Sequence, residues 1–170
     1  GSILSLVYAQ TYPERVLGLV LRGIFLCRDQ DLQWFYQDGA SRIFPDYWAD
    51  YFNHIPEAEQ SDLISAYHRR LTGNDEIARM AAAKIWSNWE GSCSTLRPNT
   101  HVVEKLNDPH TALAMARIEA HYFMHAAFLE KNQIINNAKR LQGIPGIIVH
   151  GRYDVVCPLD NAIALHRAWP

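Results

Sequence analysis

Two short apolar runs, far apart in the chain, set the tightest limits on the fold. Val16-Leu17-Gly18-Leu19-Val20-Leu21 and Gly146-Ile147-Ile148-Val149-His150 are continuous rather than alternating, as strands buried on both faces of a parallel sheet are. Strand patterns are absent between about Leu26 and Gln142, where aromatic residues interleave with charges. Helices are expected there at Asp31–Gln37, Asp46–Asn53, Glu57–Thr72, Asp75–Glu90, Pro109–His125 and Lys131–Leu141. Pro45-Asp46, Pro56-Glu57, and Asn74 before Asp75-Glu76 read as start signals. Gly1 to Gln10 reads as a helix apolar on most faces, broken by Thr11-Tyr12-Pro13-Glu14-Arg15. After the second run, Pro158 can open a closing helix that runs through Leu165 to Trp169. A helix–strand piece and a strand–loop–helix piece thus flank an all-helical insertion. The pattern predicts an α/β sheet domain (1–26 and 143–170) with a helical cap (27–142) inserted after one strand.

Composition narrows the function classes. The 170 residues suffice for one domain with a sizeable core, or for parts of two. A hydrophobic fraction of 48% with 20% charged residues fits a soluble globular chain and argues against disorder. A net charge of −2 gives no reason to expect nucleic acid or an acidic membrane surface as partner. No apolar run approaches the roughly 20 residues that span a bilayer. The opening Gly1-Ser2-Ile3-Leu4-Ser5-Leu6-Val7-Tyr8-Ala9 lacks a Met and a basic region, so it is no secretory signal, and the chain is not expected to begin where a gene begins. Cys27, Cys93 and Cys157 form neither a disulfide framework nor a zinc pattern, which predicts a reducing, cytoplasmic setting. His121 and His125 stand four apart, as a helical metal pair would, but no His-Glu-x-x-His motif supports them, and no metal is expected. Without a glycine-rich phosphate loop, no nucleotide or other cofactor is expected either.

The segment from His150 to Pro158 carries the strongest chemical signal. An Asp just past the end of a parallel strand sits where such sheets place functional groups, and Asp154 holds that position. It is either the acid of a catalytic triad or a turn and capping residue. Glu90 ends an amphipathic helix in Trp89-Glu90-Gly91, and Glu119 follows Ile118 among apolar neighbours. Each is either a partly buried acid in need of a cationic partner or a salt-bridged surface glutamate.

Five longer words point in one direction: Leu21-Arg22-Gly23-Ile24-Phe25; Trp34-Phe35-Tyr36-Gln37-Asp38-Gly39-Ala40-Ser41-Arg42; Ala81-Ala82-Ala83-Lys84-Ile85-Trp86-Ser87 with Trp89-Glu90-Gly91; Ala116-Arg117-Ile118-Glu119 with His121-Tyr122-Phe123; and Ile148-Val149-His150-Gly151-Arg152-Tyr153-Asp154. In these words and their order the chain resembles the proline iminopeptidases, serine aminopeptidases of the α/β-hydrolase fold, along essentially its whole length. The resemblance implies release of N-terminal proline from peptides through an acyl-enzyme. It makes Asp154 the triad acid and Glu90 and Glu119 the pair that binds the substrate's amino terminus. It implies that Phe25, Phe35, Phe123 and Cys157 line the proline slot, where aromatic faces suit a pyrrolidine ring. It also implies that Arg22 pairs with a glutamate such as Glu90. Gly1-Ser2 matches the end of the family's nucleophile elbow, which places the nucleophilic serine two positions before residue 1 and makes Ser2 a bystander. The catalytic histidine would lie beyond Pro170. The 170 residues alone are therefore expected to be an inactive internal piece. One departure stands out: relatives commonly carry Asn after the second glutamate, and this chain has Ala120. Other readings are a capped hydrolase of small esters, amides or epoxides, and a non-catalytic helical binding module.

Overall fold

In chain order the helices are α1 (Ser2–Thr11), α2 (Asp29–Tyr36), α3 (Pro45–Asn53), α4 (Leu63–Thr72), α5 (Glu76–Cys93), α6 (Thr100–Leu106), α7 (Pro109–Met124), α8 (Gln133–Asn136) and α9 (Leu159–Ala168). The strands are β1 (Leu19–Arg22) and β2 (Gly146–Val149). These elements come from a computed structural model that describes residues 1–170. The chain divides into two compact units, one of Gly1–Asp31 with Leu129–Pro170 and one of Leu32–Phe128.

The first unit is built on β1 and β2, which pair in parallel with Leu19 opposite Gly146 and Arg22 opposite Val149. Its core is aliphatic: Leu6, Leu21, Ile24, Ile134, Leu141 and Leu165 cluster with little or no exposed surface. Ile134 and Leu141 bring residues 129–142 into this unit, although the sequence pattern groups them with the helical segment. Gly146 opens β2 because the Trp169 indole packs onto it; an added Cβ would come within 2.3 Å of that ring. Beside the aliphatic core runs a polar brace. Arg28 donates to Asp31 at 2.8 Å and to Asn161 Oδ1 at 2.5 Å, and Asn161 Nδ2 donates to the Ile24 carbonyl.

The strands depart from the expectation of two buried faces. Val20 is 73% exposed and Ile147 60% exposed. With two strands paired, each keeps an unpaired edge and neither is covered on both sides. Helix α1 departs in the same way, since Leu6 and Ala9 are buried while Leu4 and Tyr8 are exposed.

The second unit is all helical. Four of its helices start where side chains supply caps: Asp62 accepts from Ser65 N–H, Asp75 from Ala78 N–H, Asn99 from Val102 N–H and Asp108 from Thr111 N–H. The Asp62 cap starts α4 at Leu63, so the helix expected from Glu57 breaks, leaving a short 3-10 turn at Glu57–Glu59. The Asn99 cap starts α6, a helix the sequence pattern does not announce. Lys131–Leu141, expected as one helix, splits into the single turn of α8 and a 3-10 turn at Ala138–Leu141. Alanines at a spacing of four, Ala112, Ala116 and Ala120, form a buried stripe on α7. Tyr51, Tyr67, Trp86 and Trp89 fill the interior. Burial of each such ring stabilises by about 2–3 kcal/mol.

No helix of the chain is long and apolar enough to cross a membrane.

Candidate functional site

The helical unit brings the two predicted glutamates together. Trp86 and Glu90 lie four residues apart on α5 and so share one face of that helix. The Tyr36 ring stacks on Trp86 at 4.7 Å between centroids. Each of these rings holds one carboxyl. Tyr36 Oη donates to Glu90 Oε1 at 2.5 Å, and Trp86 Nε1 donates to Glu119 Oε2 at 3.0 Å. The two carboxyls are close enough to act on each other's ionisation. Both residues are largely buried.

Their electrostatics follow from this setting. Burial, then the charge of Glu119, pushes Glu90 well above the ordinary carboxyl range, against the opposing Tyr36 hydrogen bond. Burial also raises Glu119, while the hydrogen bond from Trp86 pulls it down. Tyr36 is raised as well, first by burial and then by Glu90. Two carboxyls this close titrate as one unit, and their first proton leaves far more easily than their second.

Phe35 and Phe123 belong to the same neighbourhood. Phe35 is buried against Trp89, whose Nε1 donates to the Phe35 carbonyl at 3.2 Å. The Phe123 ring lies 5.0 Å from the Tyr36 ring. Ala120, beside Glu119, is buried in the alanine stripe of α7.

The remaining predicted residues lie in the first unit. Asp154 follows β2 in a turn closed by its own N–H to the Gly151 carbonyl, and its Oδ1 accepts from Cys157 N–H at 2.9 Å. The carboxyl therefore braces the turn, and its second oxygen lies 3.8 Å from His150 Nε2. His150 is held at both nitrogens: Nδ1 accepts from Ile24 N–H at 3.0 Å, so Nε2 bears the proton and donates to the Cys157 carbonyl at 2.7 Å. This buried imidazole joins the exit of β1 to the Asp154 turn. Arg22 closes β1 and is exposed. Phe25 N–H donates to Ser2 Oγ at 3.1 Å, and Ser2 is buried in the first turn of α1. That hydroxyl is a backbone clamp. Burial, then Asp31 and Asp29, pushes the Cys27 thiol up to about 12, away from reactivity.

The His121 and His125 rings lie 4.5 Å apart, tilted by 49°, and no group of three or more His, Cys, Asp or Glu side chains is placed to hold a metal ion.

Three residues escaped the sequence reading: Tyr36, Trp86 and His150. Trp86 had a usable signal, its spacing of four from Glu90. Tyr36 and His150 sit inside recognisable words but carry no local mark of their role.

The chain matches curated proteins along its whole length. It is 57% identical over 171 residues to a proline iminopeptidase of Xylella fastidiosa. It is 54% identical to a probable proline iminopeptidase of Leptolyngbya boryana and 46% identical to a proline iminopeptidase of Arabidopsis thaliana. All 170 residues are homologous to proline iminopeptidases. The chain spans about half the length of these relatives, 55%, 53% and 45% respectively. No protein-family model matches it.

Proposed function

We propose that the protein containing these residues is a serine aminopeptidase that releases N-terminal proline from peptides. One observation carries the reading: two carboxyls, each held by the polar edge of a stacked aromatic ring, converge in one helical unit. An aminopeptidase must recognise a free ammonium group at a fixed place. A pair of fixed carboxyls with few competing donors meets that need, because each oxygen not engaged by a ring can accept from the ammonium. In this reading Glu90 and Glu119 bind the substrate's amino terminus. Phe25, Phe35, Phe123 and Cys157 line the proline slot, and Arg22 helps to order the glutamates.

The proposed fold is the α/β-hydrolase fold, with 27–142 as a cap inserted between 1–26 and 143–170. Asp154 is then the triad acid, which fixes the tautomer of a catalytic histidine and stabilises its imidazolium while serine attacks the proline carbonyl. The acyl-enzyme forms with loss of the shortened peptide and is cleared by water. The homology to proteins named proline iminopeptidase supports this assignment.

The test uses the full-length protein and a proline arylamide. Glu119→Gln is expected to lower kcat/KM by about a hundredfold, since it leaves a charged ammonium one carboxylate short. Asp154→Ala should lower kcat by about 10³-fold or more. An N-acylated proline arylamide should be inert even with the unaltered protein. Wild-type rates in Glu119→Gln, or turnover of the acylated substrate, would refute the reading.

A further inference from the structure

We infer that a chain of hydrogen bonds from Ser2 to Asp154 fixes the spacing between the proposed nucleophile and the proposed triad acid, with Ser2 and His150 as its positioning residues. The inference rests on the serine mechanism proposed above, with the nucleophile two positions before Gly1, and adds how its two anchored members are held together.

The bonds run through the segment that leaves β1. The ladder with β2 closes where Gly23 N–H donates to the Val149 carbonyl at 3.1 Å. Gly23 then turns with a φ of 65°, a left-handed conformation that favours glycine. Ile24 beyond it is fully buried, so its backbone groups need partners other than water. Side chains from three other places supply them. Ile24 N–H donates to Nδ1 of His150, directly after β2, at 3.0 Å. The Ile24 carbonyl accepts from Asn161 Nδ2, on α9, at 3.3 Å. Phe25 N–H donates to Oγ of Ser2, in the first turn of α1, at 3.1 Å, and that hydroxyl reaches back to the Phe25 carbonyl at 3.4 Å. All four backbone groups of these two residues are thus held by side chains.

His150 carries the constraint on to the acid. Its Nε2 donates to the Cys157 carbonyl at 2.7 Å, and Cys157 N–H donates to Asp154 Oδ1 at 2.9 Å. Cys157 therefore takes the imidazole on its carbonyl and gives its amide to the carboxyl. Asp154 Oδ2 lies 3.8 Å from His150 Nε2, outside hydrogen-bonding distance. His150 sets the turn without occupying the oxygen that a catalytic histidine needs.

Both positioning side chains are shielded, with Ser2 9% exposed and the His150 side chain 2% exposed. Cutting a bond there strands a buried amide or carbonyl rather than handing it to water. The start of α1 moves with Ser2, so a cut at either end frees the serine and the acid to drift apart. A drift of about 1 Å costs on the order of a hundredfold in rate.

The test uses the full-length protein and an alkyl fluorophosphonate, which phosphonylates an activated serine with loss of fluoride. The probe has neither amine nor proline ring, so it does not depend on the glutamates or the proline slot. Ser2→Ala removes the hydroxyl. His150→Asn keeps an acceptor for Ile24 N–H and cuts the bond to Cys157. At a temperature where thermal unfolding shows each variant folded, each should label about tenfold or more slower than the unaltered protein. The double variant should label at about the rate of the slower single variant, because one cut already breaks the chain. Labelling of either folded single variant at the unaltered rate, or losses that multiply in the double variant, would overturn the inference and leave the serine mechanism standing. If Ser2→Ala does not fold, the rate of His150→Asn alone decides. An unaltered protein that neither labels nor cleaves proline arylamide would overturn both.

Discussion

The two units are filled with different matter. The first has an aliphatic core of Leu6, Leu21, Ile24, Ile134, Leu141 and Leu165, with its polar groups tied into braces around Arg28 and His150. The second has an aromatic interior of Tyr36, Tyr51, Tyr67, Trp86 and Trp89 into which two carboxyls project. Aliphatic side chains pack without directional demands and can only stabilise. Aromatic side chains with N–H or O–H edges both pack and aim a hydrogen bond. An interior of the second kind can keep acids half out of water at fixed positions, which a purely aliphatic core cannot do without leaving them unpartnered. In the proposed reading, the contrast separates a framework from a receptor.

The contrast can be broken by mutation. Trp86→Ala should cost about 3–5 kcal/mol, measured by denaturant unfolding of the full-length protein, since it removes a fully buried ring. Leu141→Ala should cost about 2–5 kcal/mol by the same measurement. Trp86→Phe sharpens the difference: most of the packing stays but the donor to Glu119 is lost, so affinity for an ammonium ligand should change more than stability does. If Trp86→Phe left that affinity untouched, the aromatic interior would be packing alone.

Next in size is His150→Phe. It strands the Ile24 N–H and the Cys157 carbonyl and should cost about 2 kcal/mol in the same unfolding assay. Loss of the brace should also loosen the Asp154 turn, so kcat should fall more than KM rises. An equal change in both would mean that the imidazole only holds the fold together.

The carboxyl pair predicts a smaller, pH-dependent effect. An acid held protonated by the fold binds more protons folded than unfolded. Stability contributed by Glu90 and Glu119 is therefore fully present below the ordinary carboxyl value of 4.5 and is lost as pH rises toward their raised folded values. The expected decline is on the order of 1 kcal/mol per pH unit within that window, and Glu90→Gln/Glu119→Gln should flatten it.

Glu59 gives the smallest effect and the opposite sign. Arg70 and Arg69 hold it at about 2, so its contribution is present above 4.5 and lost as pH falls toward 2. The site is open to solvent on one side, and Glu59→Gln should shift the unfolding midpoint only slightly, with the shift fading in high salt.

Much of this architecture was legible in the chain. The two apolar runs mark β1 and β2, and the strand-free stretch between them is helical as its patterning predicts. What pattern could not supply is burial. Val20 and Ile147 read as doubly buried residues, yet exposure depends on how many strands pair, which no local window contains. Helix starts were legible in kind, because proline and acidic residues mark them. Asp62, Asp75 and Asn99 fix the actual starts through a side-chain hydrogen bond that spacing alone does not reveal. Within the site, Glu90 and Glu119 stood out through resemblance, and by composition they were indistinguishable from surface acids. Their convergence depends on α7 lying close to α5, which its buried alanine stripe permits. Tyr36 lies far away in sequence and reaches Glu90 only through packing, so it left no trace.

The central claim is that Glu90 and Glu119 together form the receptor for an ammonium group. Its most direct test compares the binding of prolinol, which has no scissile carbonyl, with that of cyclopentanemethanol, which has the same ring size but no amine, to the full-length protein and to Glu90→Gln/Glu119→Gln. The account predicts that the unaltered protein prefers the amine by about a hundredfold or more and that the double variant loses this preference. An undiminished preference in the double variant would contradict it.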